Sequence, residues 1–205
     1  MPRTSERGGP QTRARIAAAA GQLFLERGFD AVTVAEIARQ AGVSSVTVFN
    51  HFPTKEDLFL DRSDDAVALL RSAVRDRPEG TDVLASLHEA LVGLVESAHP
   101  LTGLDERSAP FFRTLAGSPA LVSRARAIAA ELERTLVGEL ARDERFAGDA
   151  RLLAALVISG YGSVLVETAR RRVDGESPSE VVADHRARLE RLFEVLRHGF
   201  GPLGT

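Results

Sequence analysis

Thr33–Lys55, TVAEIARQAGVSSVTVFNHFPTK, reads as two short helices joined by a tight turn, with the start of a third. Thr33 is placed to cap the first helix, and Glu36, three residues on, to bond back to the cap, which makes a capping box. Val34, Ile37 and Ala38 then share one face. Gly42 follows Ala41 where the helix has to end, in the left-handed conformation that such an ending uses. Val43 is positioned to plug the corner. Ser44 caps a second helix, Ser45 to Asn50. His51-Phe52-Pro53 closes it, because a proline disfavours helix in the residue before it. Thr54 caps the next helix, with Lys55 in its first turn. Helix, glycine turn, short helix is the helix-turn-helix layout, whose second helix enters the DNA major groove.

Ser45, Val46, Thr47, Asn50 and His51 lie on that second helix, with Val43, Val48 and Phe52 turned inward. Ser, Thr and Asn bond base edges or phosphates, and Val46 suits a thymine methyl. Lys55 and the amides near Thr54 form a helix N-terminus suited to phosphate. The cap residues Thr33 and Ser44 join the candidate DNA-binding set.

The match extends beyond this motif. Ile16, Ala19, Leu23, Phe24, Glu26-Arg27-Gly28-Phe29, Thr33-Val34, Ile37-Ala38, Ala41-Gly42-Val43-Ser44, Thr47, His51-Phe52, Lys55-Glu56 and Leu58 recur in pattern. On these, residues 12–60 resemble the N-terminal domain of the tetracycline-repressor (TetR) family of bacterial regulators. The resemblance implies DNA contacts at Thr47, Phe49, His51 and Lys55. The chain departs from the family in having Ser45-Val46 where many relatives have Lys-Gly, and Phe49 where many have Tyr.

The first 55 residues carry seven bases and four acids, a net +3, against −6 for the remainder. The split is modest, since moving the cut to Asp57 lowers the first figure to +1. With 205 residues and no cysteine, the chain excludes disulfides and thiolate chemistry. The N-terminus lacks a signal-peptide apolar run, and the longest apolar stretch, Leu152 to Val166, falls short of the roughly 18 residues of a membrane helix. A cytoplasmic protein with no membrane association is expected. No Gly-rich phosphate loop, nucleophile elbow or paired metal-ligand histidines stand out, so neither an enzyme nor a metal or other cofactor is expected.

The pattern predicts an all-α protein of about nine helices. Residues 1–11 read as a disordered arm whose Arg3 or Arg7 could enter a minor groove. A helix over 12–27 braces the helix-turn-helix, and 12–58 forms the DNA-binding domain. The helix from Thr54 has no evident breaker before Pro78, so a long rod is expected. Further helices are expected over 81–98, 104–116, 119–141, 146–172 and 179–198, giving a helical domain over 59–199 and a tail over 200–205.

The helices after residue 60 resemble the family's regulatory domain, which implies a small-molecule pocket and a homodimer built on the last two helices. The pocket candidates are His88, His99, Phe111, Phe112, Arg113, Ser159 and Tyr161. The dimer candidates are Ala155, Ser159, Gly162, Ser163 and Val166, then Val182, His185, Leu189, Leu192, Phe193 and Leu196. The aliphatic-rich helices favour an apolar or amphipathic effector. A repressor that binds an inverted-repeat operator and is released by that effector is the resulting expectation. An architectural or division-control DNA-binding protein without a metabolite is the alternative, and a helical enzyme or carrier with a purely structural helix-turn-helix is a more distant one.

Overall fold

The computed structural model describes residues 9–105 and 108–199, all of whose regular structure is helical. Its order is α1 Gly9–Arg27, α2 Val34–Gln40, α3 Ser45–His51, α4 Lys55–Phe59, α5 Ser63–Arg75, α6 Val83–Glu96, a 3₁₀ turn Pro100–Thr102, α7 Ser108–Gly117, α8 Pro119–Arg142, α9 Ala150–Val173 and α10 Pro178–His198. The arm residues Arg3 and Arg7 and the tail over 200–205 lie outside the described residues. Among the described residues α1 already includes Gly9–Gln11, ahead of the expected Thr12, and Pro10 is tolerated there because its missing N–H matters only away from a helix's first turn.

The chain divides into two units: residues to Asp61 with Arg113–Ala125, and Arg62–Phe112 with Arg126 onward. In the first, Ile16, Ala20, Phe24, Val32, Ile37, Val48, Phe52 and Leu121 are essentially sealed from solvent. Phe24, Phe29 and Phe59 form a ring cluster with centroids 5.1–6.1 Å apart. The turn after α2 is a Schellman ending: Gly42 at φ 65° donates to Arg39 O, and Val43 donates to Ala38 O at 2.9 Å.

The expected rod from Thr54 to Pro78 is two helices. α4 ends at Leu60, whose ψ of 49° leaves the helical region. α5 begins afresh with Asp64 and Asp65 in its first turn, where carboxylates favour a helix N-terminus, and Asp65 pairs with Arg62 at 3.1 Å. The second unit's core joins Leu70 and Val74 of α5, Leu87 and Leu91 of α6, Leu136 and Leu140 of α8, Ala154 and Val157 of α9, and Leu189 and Phe193 of α10. Arg77, 6% exposed, pairs with Asp143, and Arg145 donates to the Val74 and Arg77 carbonyls. This clasp closes the C-terminal end of α5, satisfying carbonyls that have no helical donor.

α9 starts at Ala150 rather than 146, because Asp149 caps it, accepting from the amides of Arg151 and Leu152 at 3.0 Å. Over its 24 residues it is long and apolar enough to cross a membrane by length and composition, which the shorter stretch Leu152–Val166 had not suggested. One of its faces is taken by α10. At Gly160 a Cβ would sit 2.4 Å from Leu192 Cδ1, so glycine is what permits the approach.

Candidate nucleic-acid interface

α3 has seven residues, too few to persist alone, and is held at both ends. At its start Ser44 Oγ accepts from Thr47 N at 3.0 Å, and the two hydroxyls are 2.8 Å apart. Val48 and Phe52 are 0% and 1% exposed and fix the inner face, whereas Val46 and Phe49 stand 70% and 49% exposed. Asn50 is exposed beside them, and Ser45, Thr47 and His51 are half-buried. The outward face therefore combines an aliphatic, an aromatic and an amide group, with hydroxyls at its N-terminal edge. That set suits thymine methyls, sugar rings and base edges.

Two further capped helix starts belong to the same unit. Thr33 caps α2 in a complete capping box, with its N–H and its hydroxyl donating to Glu36 Oε2 at 2.8 and 2.7 Å. The bonds from the Thr33 hydroxyl and amide, with the Arg27 ion pair at 2.7 Å, hold the Glu36 carboxyl down to about 2. Thr54 and Asp57 form a second capping box at α4. Asp57 also accepts from Arg124 of α8 at 2.7 Å, within the same unit. Partial burial pushes Asp57 up, yet the bonds from Thr54 and Arg124 win and hold it below its ordinary value. Lys55, the expected phosphate contact, lays its ammonium 4.3 Å from the centre of the Phe29 ring. The helix start that carries it is as expected; the ring beneath it was not legible, because Phe29 is 26 positions earlier in the chain.

The candidates for the regulatory site are dispersed. His99 Nδ1 accepts from Leu101 N at 3.2 Å and so caps the 3₁₀ turn. His88 Nε2 lies 3.0 Å from Glu190, and its ring lies 4.8 Å from Phe193, which ties α6 to α10. Phe111 and Phe112 pack edge to face at 5.5 Å, with Phe112 against Gly103. Arg113 and Ser159 are exposed. The Tyr161 ring meets His185 at 6.0 Å, and among the described residues the Tyr161 hydroxyl and His185 Nε2, like His88 Nε2, are buried without a hydrogen-bond partner. Burial raises the tyrosine's pKa and lowers the histidine's, so both are neutral in the core. His185 Nδ1 and the Thr168 hydroxyl are 2.8 Å apart.

Three of the expected dimer residues are corrected. His185, Leu189 and Phe193 are at most 1% exposed within the single chain, leaving them no surface to give to a partner. Val182, Leu192 and Leu196 are half-buried against the same core, and Ala155 and Gly162 are half-buried on α9. Ser159, Ser163 and Val166 face outward, and with them Leu152, Leu156 and Val173, 58%, 48% and 36% exposed, which sequence reasoning passed over. They recur at intervals of three, four and seven along α9, a pattern that would have identified them as one stripe.

The model of the family described as bacterial regulatory proteins, tetR family, matches residues 16–61. The chain is 31% identical over 90 residues to the HTH-type transcriptional activator FasR of Mycolicibacterium smegmatis, covering 42% of this chain and 41% of that one. It is 34% identical over 107 residues to the HTH-type transcriptional repressor BepR of Brucella suis, covering 50% and 48%. The match thus spans less than half the length of these curated relatives. Among solved structures, the TetR-family transcriptional repressor FadR of Thermus thermophilus, in complex with lauroyl-CoA, is similar over 94% of this chain and 99% of that one, with TM-score 0.58 and 27% identity.

Proposed function

This chain belongs to the TetR family of bacterial regulatory proteins, and from that premise we propose that it is a ligand-responsive repressor that binds an inverted-repeat operator as a homodimer. The observation that carries the reading is α3: a short, doubly secured helix whose outward face, Val46, Phe49 and Asn50 with Thr47 at its edge, has no partner within the described chain to explain its exposed apolar groups. Two of the relatives above are called repressors and one an activator, which favours repression as the sign.

The dimer surface is the stripe of α9 formed by Leu152, Leu156, Ser159, Ser163, Val166 and Val173, a set of exposed apolar and small residues of the kind that a second copy covers. The effector is amphipathic. Its apolar part enters the aliphatic core of the second unit, and its polar group meets the unpartnered Tyr161 hydroxyl and His185 Nε2, which cost free energy while unpaired. FadR's lauroyl-CoA makes long-chain acyl thioesters the first class to try. Effector binding lowers operator affinity, and linkage requires DNA to weaken effector binding by the same factor.

Titration of lauroyl-CoA, free laurate and CoA against the protein and its selected duplex tests this. A rise in melting temperature and release of DNA over the same concentration range is the expected result. Ligands that stabilise the protein and never alter DNA affinity would overturn the sensing assignment. Tyr161→Phe and His185→Leu should each weaken a ligand that uses the polar pair.

A further inference from the structure

The C-terminal end of α3 is secured from a distance. Arg13, on α1, donates from Nη1 to the carbonyl of His51, the last residue of α3, at 2.8 Å. Its Nη2 lies 3.4 Å from the carbonyl of Asp61, just past the end of α4. The central carbon of the same guanidinium lies over the Phe52 ring, 4.2 Å from its centre, and that ring is the sealed plug that follows α3. One side chain thus joins α1, the exit of α3 and the exit of α4 through backbone atoms and one buried ring. A cation at that end also complements the negative end of the helix dipole.

We propose that Arg13 is a positioning residue for sequence recognition: it sets the angle at which α3 leaves α1, and with it the alignment of Val46, Thr47, Phe49 and Asn50 on base edges. The geometry suits arginine in particular. One guanidinium fork reaches two carbonyls while its cationic centre sits over an aromatic ring, whereas a lysine ammonium is a single point charge that does not present such a fork. Base-edge contacts need alignment, and phosphate contacts tolerate its loss, so the residue controls discrimination more than bulk attraction.

This inference rests on α3 reading DNA. The test uses the full chain, with Arg13→Lys and Arg13→Gln, on two duplexes: the sequence that wild type selects from a random pool, and a scrambled duplex of the same length. Affinity is measured on both across a salt series, with melting temperatures alongside. For Arg13→Lys the specific-to-scrambled affinity ratio should fall about tenfold, the scale of one misread base pair. Affinity for the scrambled duplex and the salt slope should stay as in wild type. Arg13→Gln should lose the same ratio or more.

Two outcomes overturn the proposal. If Arg13→Gln weakens both duplexes alike, Arg13→Lys restores both, and the salt slope flattens by about 0.9 per lost contact, Arg13 is a phosphate contact instead. If melting temperatures fall and the affinity ratio stays at the wild-type value, its role is stability alone. Should Arg13→Gln fail to fold, Arg13→Lys, which keeps the charge and the aliphatic stem, decides. A wild-type protein that selects no sequence would instead refute DNA reading by α3.

Discussion

Phe49 stands half exposed on α3, the helix proposed to read DNA. A hydroxyl added at its ring tip meets solvent or a phosphate instead of the core. Phe49→Tyr should therefore tighten DNA binding by at most about 1.5–3 kcal/mol, the range for bonds to charged groups. The gain should appear on specific and scrambled DNA alike, with an unchanged salt slope, because no cation is added. Paired melting and binding measurements check this; lost stability without tighter binding would contradict a phosphate-facing ring. Ala98 offers a second residue-scale test. It occupies the left-handed position that ends α6, at φ 48°, with His99 N bonding Leu94 O at 2.9 Å. A Cβ is strained there, so Ala98→Gly should stabilise by up to about 1 kcal/mol, after the greater freedom of glycine in the unfolded chain is set against the relieved strain. At this scale the inward and outward sides of α3 were legible, since a seven-residue helix has few ways to divide Val48 and Phe52 from Val46 and Phe49. The seat of Lys55 on Phe29 and the reach of Arg13 to His51 were not, because each joins residues far apart in sequence through side-chain conformations that no local pattern encodes.

At the scale of elements, the capping boxes of α2 and α4 make stability depend on acidity. The Glu36 carboxyl is held well below its ordinary value of 4.5, at about 2. A depressed folded-state pKa stabilises the native protein fully above the unfolded value and loses that contribution as pH falls through the folded one. The melting-temperature gap between wild type and Glu36→Gln should accordingly be widest above pH about 5 and close between there and about pH 2. A gap independent of pH would place the effect of Glu36 in packing rather than in its charge. The contact of α9 with α10 gives a further test: Gly160→Leu forces bulk into Leu192, and overpacking of this kind costs roughly 1–3 kcal/mol. Helix starts at Thr33 with Glu36 and at Thr54 were legible because their signals are local, whereas the cap Ser177 before Pro178 reads as loop in the sequence, with the helix expected only from Ser179. The break between α4 and α5 was missed because Leu58, Phe59, Val67, Leu70 and Val74 keep a helical period across it. The run Asp61-Arg62-Ser63-Asp64-Asp65, rich in groups that favour a fresh helix start, was the overlooked signal.

For the molecule as a whole, the proposed dimer is the premise on which the proposed paired reading of DNA depends. The dyad of an operator mirrors the dyad of the protein. Leu156→Glu and Val166→Glu, both on the exposed stripe of α9, should each give monomers in sedimentation and lose most operator affinity while melting much as wild type does. An unpaired carboxylate buried in an interface is strongly disfavoured. Unchanged dimers for both would move the interface elsewhere. Leu192→Asp, by contrast, tests the fold of the single chain, because Leu192 packs on Gly160 within it. That distinction was hidden in the sequence: the apolar face of α10 has the same period whether it covers its own α9 and α6 or a second copy.

The most direct measurement is selection of bound duplexes from a random pool by the full chain, with the recovered sequences aligned. An inverted repeat, with preference at one symmetric pair of positions relaxed in Thr47→Ala, is the expected result. Recovered sequences with no two-fold symmetry, or none enriched over the starting pool, would contradict a dimer that reads DNA through α3.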